Sequence, residues 1–153
     1  MRIRYTTMTF VLGAALVAGC SDNSKSDTTS GVTAVPGATG TQVSVIADEN
    51  SETDWSYTVD PVSVPAGEVT FNFKNAGDHE HEMVILRTDI AFDALEITDN
   101  RVSEDDSIGE IAETAAGATV SQTFDLEAGN YVLVCNIALH YGHGMRMAFT
   151  VTG

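Results

Sequence analysis

Three side chains able to hold a soft metal recur at five-residue intervals near the C-terminal end of the chain: Cys135, His140 and Met145. Cys135 closes the apolar run Tyr131-Val-Leu-Val, and Gly142 and Gly144 keep the following loop compact, so one thiol, one imidazole and one thioether can converge. A thiolate and a thioether combined with imidazoles form the ligand set that selects copper, and a trigonal His2Cys site with a weak axial Met is an electron-transfer geometry. The loop supplies one imidazole only. A second is available in Asn75-Ala-Gly-Asp-His79-Glu-His81-Glu82, where one apolar run ends, Gly77 turns the chain and another run begins. His79 and His81 are two residues apart and would share a face of an extended chain, so spacing leaves both open. His143, inside the loop, is either a surplus surface imidazole or a further metal contact.

Each of these residues has an ordinary reading when taken alone. A strand cysteine is more often a small buried hydrophobe than a ligand, and Met145 alone reads as core. Their conjunction is what points to a metal. A Cys-His enzyme with Cys135 as nucleophile would need a base oriented by a third group and would leave Met145 without a role. Zinc is the harder ion and is poorly served by a thioether. Copper storage or delivery would use the same ligands but favours Met-rich stretches, and this sequence has five Met including the initiator.

The elements that must position these groups occupy only part of the 153 residues. Residues 1–19 begin Met-Arg-Ile-Arg and continue into Phe10-Val-Leu-Gly-Ala-Ala-Leu-Val17. This is the layout of a secretory signal peptide, with an apolar run of about ten residues where a membrane-spanning helix needs roughly 20. Val17-Ala18-Gly19-Cys20 resembles a lipobox, which implies that Cys20 is lipidated and begins the mature chain. Export to an oxidising compartment then leaves Cys135 as an unpaired thiol that something must occupy. Residues 20–40, rich in Ser, Asp, Thr and Gly, cannot bury enough surface to fold and read as a tether with a coil span of roughly 25 Å. The expected organisation is a signal peptide at 1–19, a lipid-anchored linker at 20–40 and one domain at 41–153.

Twenty-two acids against seven bases give a net charge of −15; loss of Arg2 and Arg4 with the signal peptide leaves five bases and −17. Such a chain lacks the Lys and Arg clusters that nucleic acid requires. It is expected to reach a membrane through the lipid anchor only.

From residue 41 onward the apolar residues alternate with period two. Thr41–Ala47, Trp55–Val59, Val62–Val64, Val69–Phe73, His81–Leu86, Val120–Leu126, Tyr131–Cys135 and Met145–Val151 are each bounded by Gly, Asn, Asp or Pro. Seven to eight short strands in an all-β domain of this length suggest a β-sandwich. Residues 89–116 break the pattern: Ile90, Phe92, Leu95 and Ile97 allow a short helix around 90–97, and 102–114 reads as a loop anchored by Ile108 and Ile111. Residues 89–113 hold nine acids (Asp89, Asp93, Glu96, Asp99, Glu104, Asp105, Asp106, Glu110, Glu113) and one base, Arg101. That run is either a solvated face or a surface that steers a basic partner.

The pairing of Asn75-x-Gly77-x-x-x-His81-Glu82 with Tyr131-Val-Leu-Val-Cys135-Asn-Ile-x-x-His140-Tyr-x-x-Gly144-Met145 resembles the cupredoxins, or blue copper proteins, especially the plastocyanin-like and sulfocyanin-like ones. The resemblance covers residues 41–153 and implies an antiparallel Greek-key sandwich. It also implies one copper ion cycling between Cu(I) and Cu(II), held by His81, Cys135, His140 and Met145. The second imidazole is then His81 rather than His79. The implied role is electron transfer between larger redox proteins, such as a c-type cytochrome or terminal oxidase with a basic face. The chain would be an exported, lipid-anchored monomer at the cell envelope and not an enzyme. Asn136 and Glu82 are the expected neighbours of the ligands, and Ala138, Leu139 and Tyr141 form either an apolar docking patch or loop packing. Where relatives commonly carry Pro-Gly before the loop histidine, this chain has Ala138-Leu139.

Overall fold

The computed structural model describes residues 40–153. The signal peptide, Cys20 and all of the linker but its last residue lie outside the described residues.

Val43, Val45 and Ala47 alternate with less buried neighbours along β1 (Thr41–Glu49), as a strand with one face on a core requires. Ten further strands follow: β2 (Trp55–Asp60), β3 (Ser63–Pro65), β4 (Gly67–Asn75), β5 (His81–Arg87), β6 (Ile97–Thr98), β7 (Arg101–Val102), β8 (Ser107–Thr114), β9 (Thr119–Leu126), β10 (Gly129–Val134) and β11 (Arg146–Thr152). One sheet runs β2-β1-β4-β9 and the other β3-β11-β10-β5-β8, while β6 and β7 form a separate hairpin. Val43, Val45, Phe71, Phe73, Met83, Ile85, Leu133 and Phe149 fill the space between the sheets. The ring of Phe71 packs against Phe149 at 5.3 Å between centroids, one sheet against the other. Not all pairing is antiparallel: β1 runs parallel to β4, and β3 parallel to β11.

No helix occurs among the described residues, so the short helix expected around 90–97 is corrected. A single turn closes there, Ala94 N–H to Ala91 O, and the hydroxyl of Tyr141 takes two neighbouring backbone groups. It accepts from Leu95 N–H at 3.1 Å and donates to Phe92 O at 2.9 Å. Asp99 and Asn100, both at positive φ, then turn the β6–β7 hairpin, a role that short polar side chains tolerate. The loop expected over 102–114 is likewise mostly strand, since β8 pairs with β5. Two register shifts interrupt that pairing, which broke the alternation in the sequence. Ile111 is buried as expected, but Ile108 is 42% exposed.

This excursion shapes the site indirectly. A second apolar cluster of Val84, Leu86, Val102, Val132, Val134 and Tyr141, with Leu95 against it, covers the outer face of β5 and β10. The strand that begins at His81 and the strand that runs into Cys135 are therefore packed on both faces.

Candidate metal centre

Four chain segments meet at one end of the sandwich. The end of β1 brings Glu49, the start of β2 Trp55, the start of β5 His81, and the β10–β11 loop Cys135 through Met145. Parallel pairing of β1 with β4, in which Ala47 faces Asn75, puts Glu49 beside the 75–81 turn. Antiparallel pairing with β2 sets Glu49 opposite Trp55.

Asn75 shapes the turn. Fully buried, it donates from Nδ2 to His79 O (2.7 Å) and Thr114 O (2.8 Å) and accepts from Gly77 N–H at 3.0 Å. The loop that follows β10 is bound to itself: Cys135 N–H donates to Met145 O, His140 N–H to Ile137 O, and Met145 N–H to His140 O. Leu139, within this loop, has φ of 78°. It thus holds a left-handed backbone conformation that glycine adopts without cost. At Gly144, φ is 114° and an added Cβ would lie 2.6 Å from Trp55 O, so only glycine fits between Met145 and β2.

His81, Cys135 and His140 come together. Cys135 Sγ lies 3.2 Å from His140 Nδ1 and 4.0 Å from His81 Nδ1, and the two Nδ1 atoms are 3.2 Å apart. All three residues are buried, and no other set of His, Cys, Asp and Glu groups this way among the described residues. Met145 is fully buried and tied by its backbone to both Cys135 and His140. His79 stands apart, with its side chain 65% exposed. His143 also lies outside the donor group, its ring 4.9 Å from that of Trp55 and its Nδ1 buried without a hydrogen-bond partner.

Burial sets the acid–base state of the donors. It pushes the Cys135 thiol up to about 11, against the backbone N–H groups of Glu82 and Ile137 and the Tyr57 hydroxyl, which favour the thiolate. Burial likewise pulls His140 down to about 4, helped by His81 and His143, and lowers His81 despite its hydrogen bond to Glu49. Two neutral imidazoles and a reluctant thiol, all turned inward, suit a soft cation that can replace the thiol proton. The donor set therefore fits copper.

The expected neighbours of the ligands act differently from their sequence positions. Asn136 ties the ligand loop to the excursion, accepting from Val102 N–H at 2.8 Å and donating to Val102 O and Glu104. Glu82 accepts from Asn136 N–H, and its backbone carbonyl accepts from the Tyr57 hydroxyl. Burial and then the nearby Glu104, Glu110 and Glu113 raise the Glu82 carboxyl. Tyr141 is buried beneath the loop, so of the three residues around His140 only Ala138 and Leu139 are exposed.

Two site residues were not expected from the sequence. Trp55 packs edge-on against His140 at 4.4 Å and His81 at 5.6 Å and stacks on His79 at 5.5 Å. Glu49 holds His81 and His79 on its two carboxylate oxygens. Burial alone would raise this carboxyl, but hydrogen bonds from the His79 side chain and backbone and from His81 hold it at about 2. Both residues end or begin alternating runs that pair as a hairpin, and that register was the available signal.

A two-sheet sandwich with an inward-facing His-Cys-His group at one end defines the cupredoxin class. Residues 42–152 match the family described as copper binding proteins of the plastocyanin/azurin family, and the chain belongs to it. Members of this family are electron-transfer proteins, not enzymes. Among solved structures, auracyanin from the photosynthetic bacterium Roseiflexus castenholzii is similar at 22% identity and a TM-score of 0.53, over 74% of this chain and 100% of that one. Rusticyanin from Thiobacillus ferrooxidans is similar at 20% identity and 0.57, over 74% and 79%. Auracyanin A, described as a "blue" copper protein from Chloroflexus aurantiacus, is similar at 20% identity and 0.50, over 72% and 99%. No curated protein matches the sequence.

Proposed function

We propose that this chain is an exported blue copper protein that carries single electrons between redox partners. His81, Cys135 and His140 are its strong ligands and Met145 its weak axial ligand, around one copper ion. The observation behind this reading is the convergence of Cys135 Sγ and two imidazole Nδ1 atoms, all on buried residues, at one end of the sandwich. When bound, copper supplies a reversible one-electron couple whose potential is tuned by the axial ligand and by hydrogen bonding around the sulfur.

The chain's own part is to keep the donors still while charge changes. His81 is fixed at the start of a doubly packed strand and by Glu49. Cys135 is fixed by its N–H bond to Met145 O, and His140 by its loop bonds and the edge of Trp55. Export and anchoring through Cys20 rest on the signal sequence and lipobox.

Partner choice rests on the surface. Leu139, 50% exposed next to His140, and Ala138 form a small apolar contact. All nine acids of residues 89–113 are exposed, while Arg101 is engaged with Asn136 O. This favours a partner with a basic face, and electron-transfer rates with such a protein should fall as salt rises; a flat salt series would remove the steering idea.

The deciding experiment is voltammetry of the copper-loaded protein with metal analysis after each half-cycle. A reversible couple with copper retained in both states is expected. Loss of the ion on reduction would favour storage or delivery instead.

A further inference from the structure

The contact between Glu49 and His81 goes beyond a ligand set. A carboxylate can only accept, so the 2.8 Å bond from His81 Nε2 to Glu49 Oε1 requires the proton of His81 to sit on Nε2. The Nδ1 lone pair of the neutral ring is then free, and Nδ1 is the atom that faces Cys135 and His140.

Glu49 is itself held. Its Oε2 accepts from His79 Nδ1–H at 2.9 Å and its Oε1 from His79 N–H at 3.0 Å. Gly77 closes the third side: a Cβ there would lie 2.5 Å from Glu49 Oε1 and 2.9 Å from His81 Nε2. The turn therefore leaves room for this carboxylate only because residue 77 has no side chain. His79, which competes with His81 in the sequence, serves the same arrangement from outside.

We propose that Glu49 is a positioning residue that acts on the metal through His81. It fixes the Nε2–H tautomer before any metal arrives, and its charge favours the oxidised over the reduced protein, lowering the reduction potential. The direction follows from charge: a carboxylate on the remote N–H makes the imidazole a stronger donor, and stronger donation favours the higher oxidation state. The second half of this proposal rests on the copper reading above; the first does not.

Two measurements test it on the full chain. In the metal-free protein, ring ¹⁵N shifts at one neutral pH should show His81 protonated on Nε2, and Glu49→Leu should abolish that preference. A proton on Nδ1 in the wild type would overturn the proposal. In the copper-loaded protein, Glu49→Gln keeps an acceptor oxygen and the shape but removes the charge. At the wild-type midpoint potential its ratio of reduced to oxidised protein should rise about tenfold, a shift of about 59 mV for one electron. A Glu49→Gln protein with wild-type visible spectrum and a ratio within twofold of one would refute the charge effect. Should the protein take up no copper, the copper reading fails while the tautomer result still decides the positioning role.

Discussion

Lowering the pH should destabilise the metal-free protein in a window set by His140 and His81. His140 titrates at about 4 in the folded protein against 6.5 for an ordinary imidazole, chiefly because it is buried and then because His81 and His143 crowd it with like charge. Between these values the unfolded chain binds the proton and the folded chain does not, so stability rises with pH there and is lost as pH falls from 6.5 toward 4. At roughly 1.4 kcal/mol per pH unit, the full difference corresponds to about 3 kcal/mol. Part of the shift is repulsion from His81 and His143, which salt screens, and this brings the expected loss to about 2 kcal/mol. His81, lowered by burial, adds to the same window in the same direction. Glu49 acts lower: held at about 2, its contribution is present above 4.5 and disappears as pH falls from there toward 2. Urea denaturation of the copper-free protein at half-unit pH steps would resolve both windows, with His140→Gln removing most of the upper slope. Constant stability between pH 6.5 and 4, or an unchanged slope in His140→Gln, would refute the reasoning.

Other perturbations have equally definite outcomes. Gly77→Ala should displace the Glu49 carboxylate from His81, because the new Cβ would overlap both, and cost about 1.5–3 kcal/mol of stability as a charge-assisted hydrogen bond is lost; denaturant midpoints would measure it. Leu139→Gly should stabilise the protein by about 0.5–1 kcal/mol in the same assay, since relief of the left-handed conformation exceeds the added freedom of the unfolded chain. The leucine is half exposed, so little burial is lost.

Most of the sandwich was legible because Val43, Val45, Phe71, Phe73, Leu133 and Phe149 alternate cleanly, and period two has few alternative readings. The segment after β5 was not. Ile90, Phe92 and Ile97 are exposed rather than aligned on a buried face, and the backbone there is organised by Tyr141, some fifty residues distant. The strand β8 was hidden by two register shifts, one between Ser107 and Gly109 and one between Ile111 and Thr114, which leave only a short alternating stretch between them. At the site, Cys135 and His140 were visible because they share one loop. Glu49 and Trp55 were not, because their roles arise from β1 pairing with β2 on one side and β4 on the other. The left-handed Leu139 shows the converse: a backbone conformation that glycine adopts freely occurs at a residue that gives no sign of it in the sequence.

The central claim is that Cys135 and two histidines hold copper as a blue centre. Cu(II) added to the purified protein should produce an intense blue colour and a narrow copper hyperfine splitting in the electron paramagnetic resonance spectrum, both absent in Cys135→Ser. A pale, widely split copper signal in the wild type, or a blue colour that survives in Cys135→Ser, would contradict the account.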